Sequence, residues 1–246
     1  MKTSNKILTL IGLTLLASPF INAYSLKQKL INKEYTLLKN RNEIEMKSID
    51  FMPTDSIHII GGNNLLVEIT QSDSASVKIG KKTPILVYEE NGVLIVQYSE
   101  DHNPDSSNPA RVIIRTPSIN AISVEGKLIT YSKGTQYRKT VTSYYSPFEI
   151  TVDGFKAEKM NIHVRNGGGS INFNKTRLDK LSLSIGEMSN FKIDEKSHIS
   201  SMDVHAAKNS TININKAHIH TLKTNLDPTA SLTLKGNNIT NIIPYE

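Results

Sequence analysis

The chain has 246 residues, of which 38% are hydrophobic and 21% charged, with a formal net charge of +6 and no cysteine. Absent thiols exclude disulfides, thiolate metal ligands, cysteine nucleophiles and lipid attachment at a cysteine. Charges of both signs are interspersed along the sequence, which offers no basic face to nucleic acid.

Met1 to Ala23 has the layout of a secretory signal peptide. Lys2 and Lys6 give a positive start, Ile7 to Leu16 an apolar run too short to span a bilayer, and Ile21-Asn22-Ala23 a cleavage site. Its removal takes away two positive charges and leaves a mature chain at +4. That chain, about 220 residues, is long enough to bury a core without disulfides. Residues 24–47 read as a helical or loosely ordered leader, with Leu26, Leu30, Leu37 and Leu38 along one helical face. No later stretch suits a transmembrane helix. Export to the periplasm, the outer membrane or the exterior is therefore expected.

Strand signals start at Ile49. Ile57-His58-Ile59-Ile60 runs into the turn residues Gly61 to Asn64, and Leu66 to Ile69 and Val77 to Ile79 follow. Ile85 to Tyr88 and Val93 to Val96 flank Asn91-Gly92, the pairing that favours a tight hairpin. Glu100 to Pro109 is a polar loop. Ile119 and Ile122 anticipate the spacing of the later segments, and Tyr131 to Pro147 then interrupts the pattern.

From Ala157 to Ile243 a rhythm takes over. Apolar pairs recur every ten or eleven residues, among them Met160/Ile162, Ile171/Phe173, Leu181/Leu183, Phe191/Ile193, Met202/Val204 and Ile212/Ile214. Alternate segments carry a further apolar residue three positions upstream: Ala157, Leu178, Ile199, Ile219 and Ile239. The unit is thus about twenty residues and holds two strands. One such coil cannot bury its apolar side alone, but stacked coils can. The expectation is an all-β, single-domain parallel β-solenoid over residues 48–246. Its rival is an antiparallel meander or sandwich, which strands at this spacing also suit.

The outward positions form mixed columns, such as Asn161, Ser182, Asp203, Lys223 and Asn172, Lys192, Asn213, Thr233. These read as a solvated wall, in which like charges in adjacent coils are avoided. His163 and His205 are separated by Ser184, two coil spacings, and cannot share a metal. His198 and His218 fall in adjacent coils with His220 close by, but no acidic company completes a ligand set. Asp179, Asp194 and Asp203 belong to different columns, and Gly167-Gly168-Gly169 precedes neither a lysine nor a helix start. No metal, cofactor or catalytic residue is expected. The triple glycine reads as a turn needing positive φ in a coil one residue longer than its neighbours.

Several of these stretches together resemble the GIN domain: Ile49-Asp50-Phe51, the Gly61-Gly62 turn, Val67 to Gln71, Val77-Lys78-Ile79, Asn91 to Ile95, and Asn166-Gly167-Gly168-Gly169-Ser170. The resemblance covers roughly residues 48–246. It implies an exported bacterial protein of the "putative auto-transporter adhesin" head type, of unknown activity. Where that family favours Gly-Ser-Gly turns, this chain has Gly186-Glu187-Met188, Ala206-Ala207-Lys208 and Leu226-Asp227-Pro228. No translocator barrel is expected, so the chain is not expected to export itself.

The sharpest candidate for binding is the 131–147 insertion, with Tyr131, Tyr137, Arg138, Tyr144 and Tyr145. Tyrosine and arginine dominate binding hot spots because they join large contact area to hydrogen bonding. The same tyrosines could instead pack back on the scaffold. The function expected is a non-enzymatic binding or adhesion module whose partner is a glycan or a surface protein. A carbohydrate-active enzyme and an end-to-end stacking scaffold are the alternatives.

Overall fold

Alternation of apolar and polar side chains makes a strand with one greasy face, and such faces persist only where two sheets cover each other. The computed structural model describes residues 46–61, 64–80, 83–99, 110–135, 138–145, 147–236 and 239–244, with the backbone alone over 129–144. All lie in the compact unit Glu45–Glu246. The proposed signal peptide, and the leader up to residue 45, fall outside the described residues. The first described strand, Met46–Ile49, straddles the boundary drawn at residue 48.

The described residues are all-β and contain no helix. In chain order the strands are β1 (Met46–Ile49), β2 (Ser56–Ile60), β3 (Leu65–Gln71), β4 (Ser76–Gly80), β5 (Ile85–Glu90), β6 (Val93–Tyr98) and β7 (Ala110–Thr116). Then come β8 (Ala121–Glu125), β9 (Leu128–Thr135), β10 (Arg138–Tyr145), β11 (Phe148–Asp153), β12 (Lys156–Arg165), β13 (Ser170–Asn174) and β14 (Arg177–Ile185). The last are β15 (Asn190–Ile193), β16 (His198–Ala206), β17 (Thr211–Asn215), β18 (His218–Leu226), β19 (Ser231–Lys235) and β20 (Ile239–Pro244).

They form two nine-stranded sheets and one two-stranded sheet. The first wall runs β1-β4-β7-β3-β11-β13-β15-β17-β19, the second β20-β18-β16-β14-β12-β8-β2-β6-β5. Both are mixed and mostly parallel. Antiparallel pairing among the described residues is confined to β1–β4, β4–β7, β5–β6 and the separate β9–β10 pair. Asn91 and Gly92, at φ 51° and 76°, make the expected tight turn between β5 and β6.

From β11 onward successive strands alternate between the walls, and each pairs with the strand two further along. Leu181 lies opposite Met202 and Met202 opposite Leu222, and none of the three is exposed to solvent (each 0%). In the first wall Ile171 faces Phe191, and Phe191 faces Ile212. Phe173 and Phe191 tilt against each other across neighbouring strands with ring centroids 5.3 Å apart. Burying one such side chain contributes about 1.5–3 kcal/mol, so these columns are the main source of stability.

The apolar residue three positions upstream has a structural cause. In β14 the outward pair Asp179 and Lys180 separates buried Leu178 from buried Leu181. Pairing of β14 with β16 skips Asp179 but includes Leu178↔Ile199 and Leu181↔Met202. The second wall therefore bends there, and Leu178, Ile199 and Ile219 fill the inside of the bend.

Turns are sealed by backbone bonds that continue the strand pairing. The amides of Arg177, His198 and His218 donate to the carbonyls of Phe155, Thr176 and Ser197. Ser197, fully buried, accepts from the Thr176 amide at 3.1 Å and donates to Asp194 Oδ1 at 2.6 Å. Only one residue of the triple glycine, Gly168 (φ 104°), has the positive φ read from the sequence. Its neighbours answer to close approach instead. A Cβ on Gly167 would stand 1.2 Å from the Glu187 carbonyl oxygen of the next coil.

Two outcomes follow. Gly167→Ala should cost about 3 kcal/mol by overpacking against backbone that cannot yield, lowering the thermal midpoint by roughly 10 °C. Asp227 accepts hydrogen bonds from the Thr229 hydroxyl and amide, which, helped by Lys208, hold its carboxyl below the ordinary value of 3.8. Its contribution is complete above that value and lost as pH falls through the lowered one. Acid unfolding curves of Asp227→Asn and wild type should converge in that window and separate above it.

Candidate functional site

The interruption at 131–147 is regular rather than irregular. Residues rich in Thr and Tyr pair as the antiparallel hairpin β9–β10, closed by Thr135↔Arg138 and belonging to neither wall. Tyr131 is opposite Thr142, and Tyr144 is opposite Ile129. The two-residue period puts register positions 131, 138 and 144 on one face, and 128 and 145 on the other. Tyr137 lies outside the described residues. Tyr145 is half-buried, and its backbone and Cβ press on Gly168, where an added Cβ would lie 2.5 Å away. The hairpin is thus rooted on the glycine turn through Tyr145. Of the five residues expected to bind, this is the one whose Cβ lies beside the glycine turn.

Three open grooves lie on the outer surfaces. The first wall carries one of about 480 Å³, walled by Thr151, Asn172, Lys192, Asn213 and Thr233 in register. Asn172 Nδ2 donates to Glu149 Oε1 at 3.0 Å, and amides and hydroxyls alternate there with the charges of Lys192, Asp194 and Lys235. A smaller one, about 280 Å³, includes Glu68 and Arg111, paired at 3.0 Å. The largest, about 570 Å³, follows the bend of the second wall past Lys156, Arg177, His198 and His218.

Acidic groups do not gather in any of the three. The bend holds Glu158 and Asp179, the first-wall groove Glu149 and Asp194, and the smallest Glu68 and Glu149. Asp203 is elsewhere on the second wall, tied to Lys180 at 3.3 Å. Among the described residues no three His, Asp or Glu side chains are grouped to hold a metal. His163 and His205 both pair with Ser184, two strands apart, as expected. His198 and His218 stack at 4.7 Å between centroids and 14° between planes. Stacked rings direct their nitrogens side by side rather than onto one ion.

This sequence matches over residues 57–241 the family described as "Putative auto-transporter adhesin, head GIN domain". The chain belongs to the GIN domain family. No curated protein matches it. Among solved structures it is similar to a putative adhesin from Bacteroides fragilis, at 13% identity and TM-score 0.39, over 81% of this chain and 95% of that one. A putative lipid binding protein from Parabacteroides distasonis is similar at 14% identity and TM-score 0.34, covering 82% and 96%. A putative cell adhesion protein from Clostridium sporogenes is similar at 9% and 0.31, covering 81% and 99%. Among the described residues no helix is long and apolar enough to cross a membrane.

Proposed function

We propose that this chain is an exported, non-enzymatic binding or adhesion module of the bacterial envelope. In this reading the two walls wind as a parallel β-solenoid of about twenty-residue coils. Residues 1–23 direct export, residues 24–47 lead into the domain, and residues 48–246 form it. The scaffold holds the β9–β10 hairpin out to a glycan or surface protein, with Tyr131, Tyr137, Arg138 and Tyr144 as contact residues.

The observation that carries the proposal is the hairpin itself. It adds no strand to either wall, yet it is anchored at Tyr145 on a glycine turn whose close packing fixes its root. A rigid scaffold presenting an aromatic loop is a common way to build recognition. Membership of a family described in terms of adhesion supports the same reading.

The test is a glycan-array and host-cell binding screen on the mature chain, run beside the triple variant Tyr131→Ala, Arg138→Ala, Tyr144→Ala. Capture should fall at least to about one hundredth, as loss of two or three hot-spot residues gives, with the thermal midpoint unchanged. Unimpaired capture would reject the hairpin as the contact. A midpoint lowered by several degrees would assign these residues to packing, and release of reducing ends from a bound glycan would reject the non-enzymatic reading.

A further inference from the structure

The bend of the second wall brings four basic or titratable side chains into one column. Lys156 pairs with Arg177, Arg177 with His198, and His198 with His218, each one strand further along the stack. The parallel spacing makes each step about 4.8 Å. Beside this column the groove is lined by Glu158, Asp179, Ser200, His220 and Thr240. All four members of the column and His220 are exposed.

Charge divides the groove into two halves. At one end Glu158 and Asp179 offset Lys156 and Arg177. At the other, His198, His218 and His220 accompany the hydroxyls of Ser200 and Thr240. β16 and β18 contribute imidazoles and a serine to that half and β20 a threonine, and the carboxylate beside them is Asp179 on β14, the strand paired with β16. The Lys196 carbonyl, in the turn before β16, lies 3.3 Å from His198 Nδ1 and accepts from it as N–H; Glu195 and Lys196 of that turn carry opposite charges. The groove is thus neutral overall when the imidazoles are neutral, and three charges more positive when all are protonated.

We propose that this bend is a second binding site, a pH-gated subsite for an acidic polysaccharide. Imidazole changes charge between about pH 5 and 8. Two protonated rings stacked at 4.7 Å repel each other, and Asp179, on the strand beside His198, lies two strands from His218. A bound anion relieves that repulsion, and protons and ligand therefore bind together. The regular step of the column matches a polymer with a carboxylate at each repeat better than a single small anion. Ser200 and Thr240 supply hydroxyl partners for the sugar ring next to each charge. Lys156 and Arg177 continue the track, while Glu158 and Asp179 keep that end from binding anions without the histidines.

The probe is polygalacturonate, with neutral dextran as control, titrated into the full mature chain at about pH 5.5 and about pH 7.5. Polygalacturonate should bind about tenfold tighter at the lower pH, the factor that three partly screened charge pairs supply, and dextran at neither. His198→Gln, His218→Gln and His220→Gln together should abolish the pH dependence. His218→Gln alone, which removes the stack, should remove part of it. These rings are exposed, so melting of both variants should match wild type. Equal affinity at the two pH values, or pH dependence that survives the triple change, would overturn the proposal. So would a thermal midpoint raised by zinc alone, which would make the histidines metal ligands. The hairpin variant should retain this binding, so failure of one site is separable from failure of the other.

Discussion

A short strand leaves its backbone amides and carbonyls, and one face of its side chains, without partners of its own. The backbone groups are satisfied by the strands on either side, and the apolar columns line up only if every residue sits opposite its equivalent. That shared requirement fixes the register from β11 to β20, where partners are twenty or twenty-one residues apart, as Met160↔Leu181 and Leu222↔Ile242 illustrate. It also fixes the turns, since Ser197 and Thr176 continue the bonding where the strands stop. The glycines at 167 and 168 are consequences, because adjacent coils and the hairpin root come too close for a side chain.

Much of this was legible in the residues. The apolar columns show in the sequence because buried positions are chemically constrained, and the upstream residues Leu178, Ile199 and Ile219 mark alternate strands there, though not why they are buried. The N-terminal half was less readable. There β2 lies between β6 and β8, and β3 between β7 and β11, so these early strands are interior while β1 is at an edge. Its pairing offsets are unequal, Ile57 meeting both Leu94 and Ile122, and no fixed period records them. Close approach at Gly167 was also hidden, since a glycine required by a neighbouring coil looks like one required by its own φ.

The surface was the least legible part, for a physical reason. Outward positions need only be solvated, so many residues satisfy them and no pattern is enforced. The sequence singled out the tyrosine-rich insertion by its composition, but not its hairpin pairing or the division of its residues between two faces. The same columns showed His198 and His218 as neighbours. That they share a groove with His220, and that their rings stack, is visible only in the structure.

Spacing between equivalent residues is the most direct test of the stacked arrangement, and the absence of cysteine makes it clean. Spin labels on cysteines at Asn161 and, in turn, Ser182, Asp203 and Lys223 should report separations that grow in equal steps of about 4.8 Å. Separations that do not increase step by step along that series would contradict the in-register stack, and with it the scaffold on which both binding features depend.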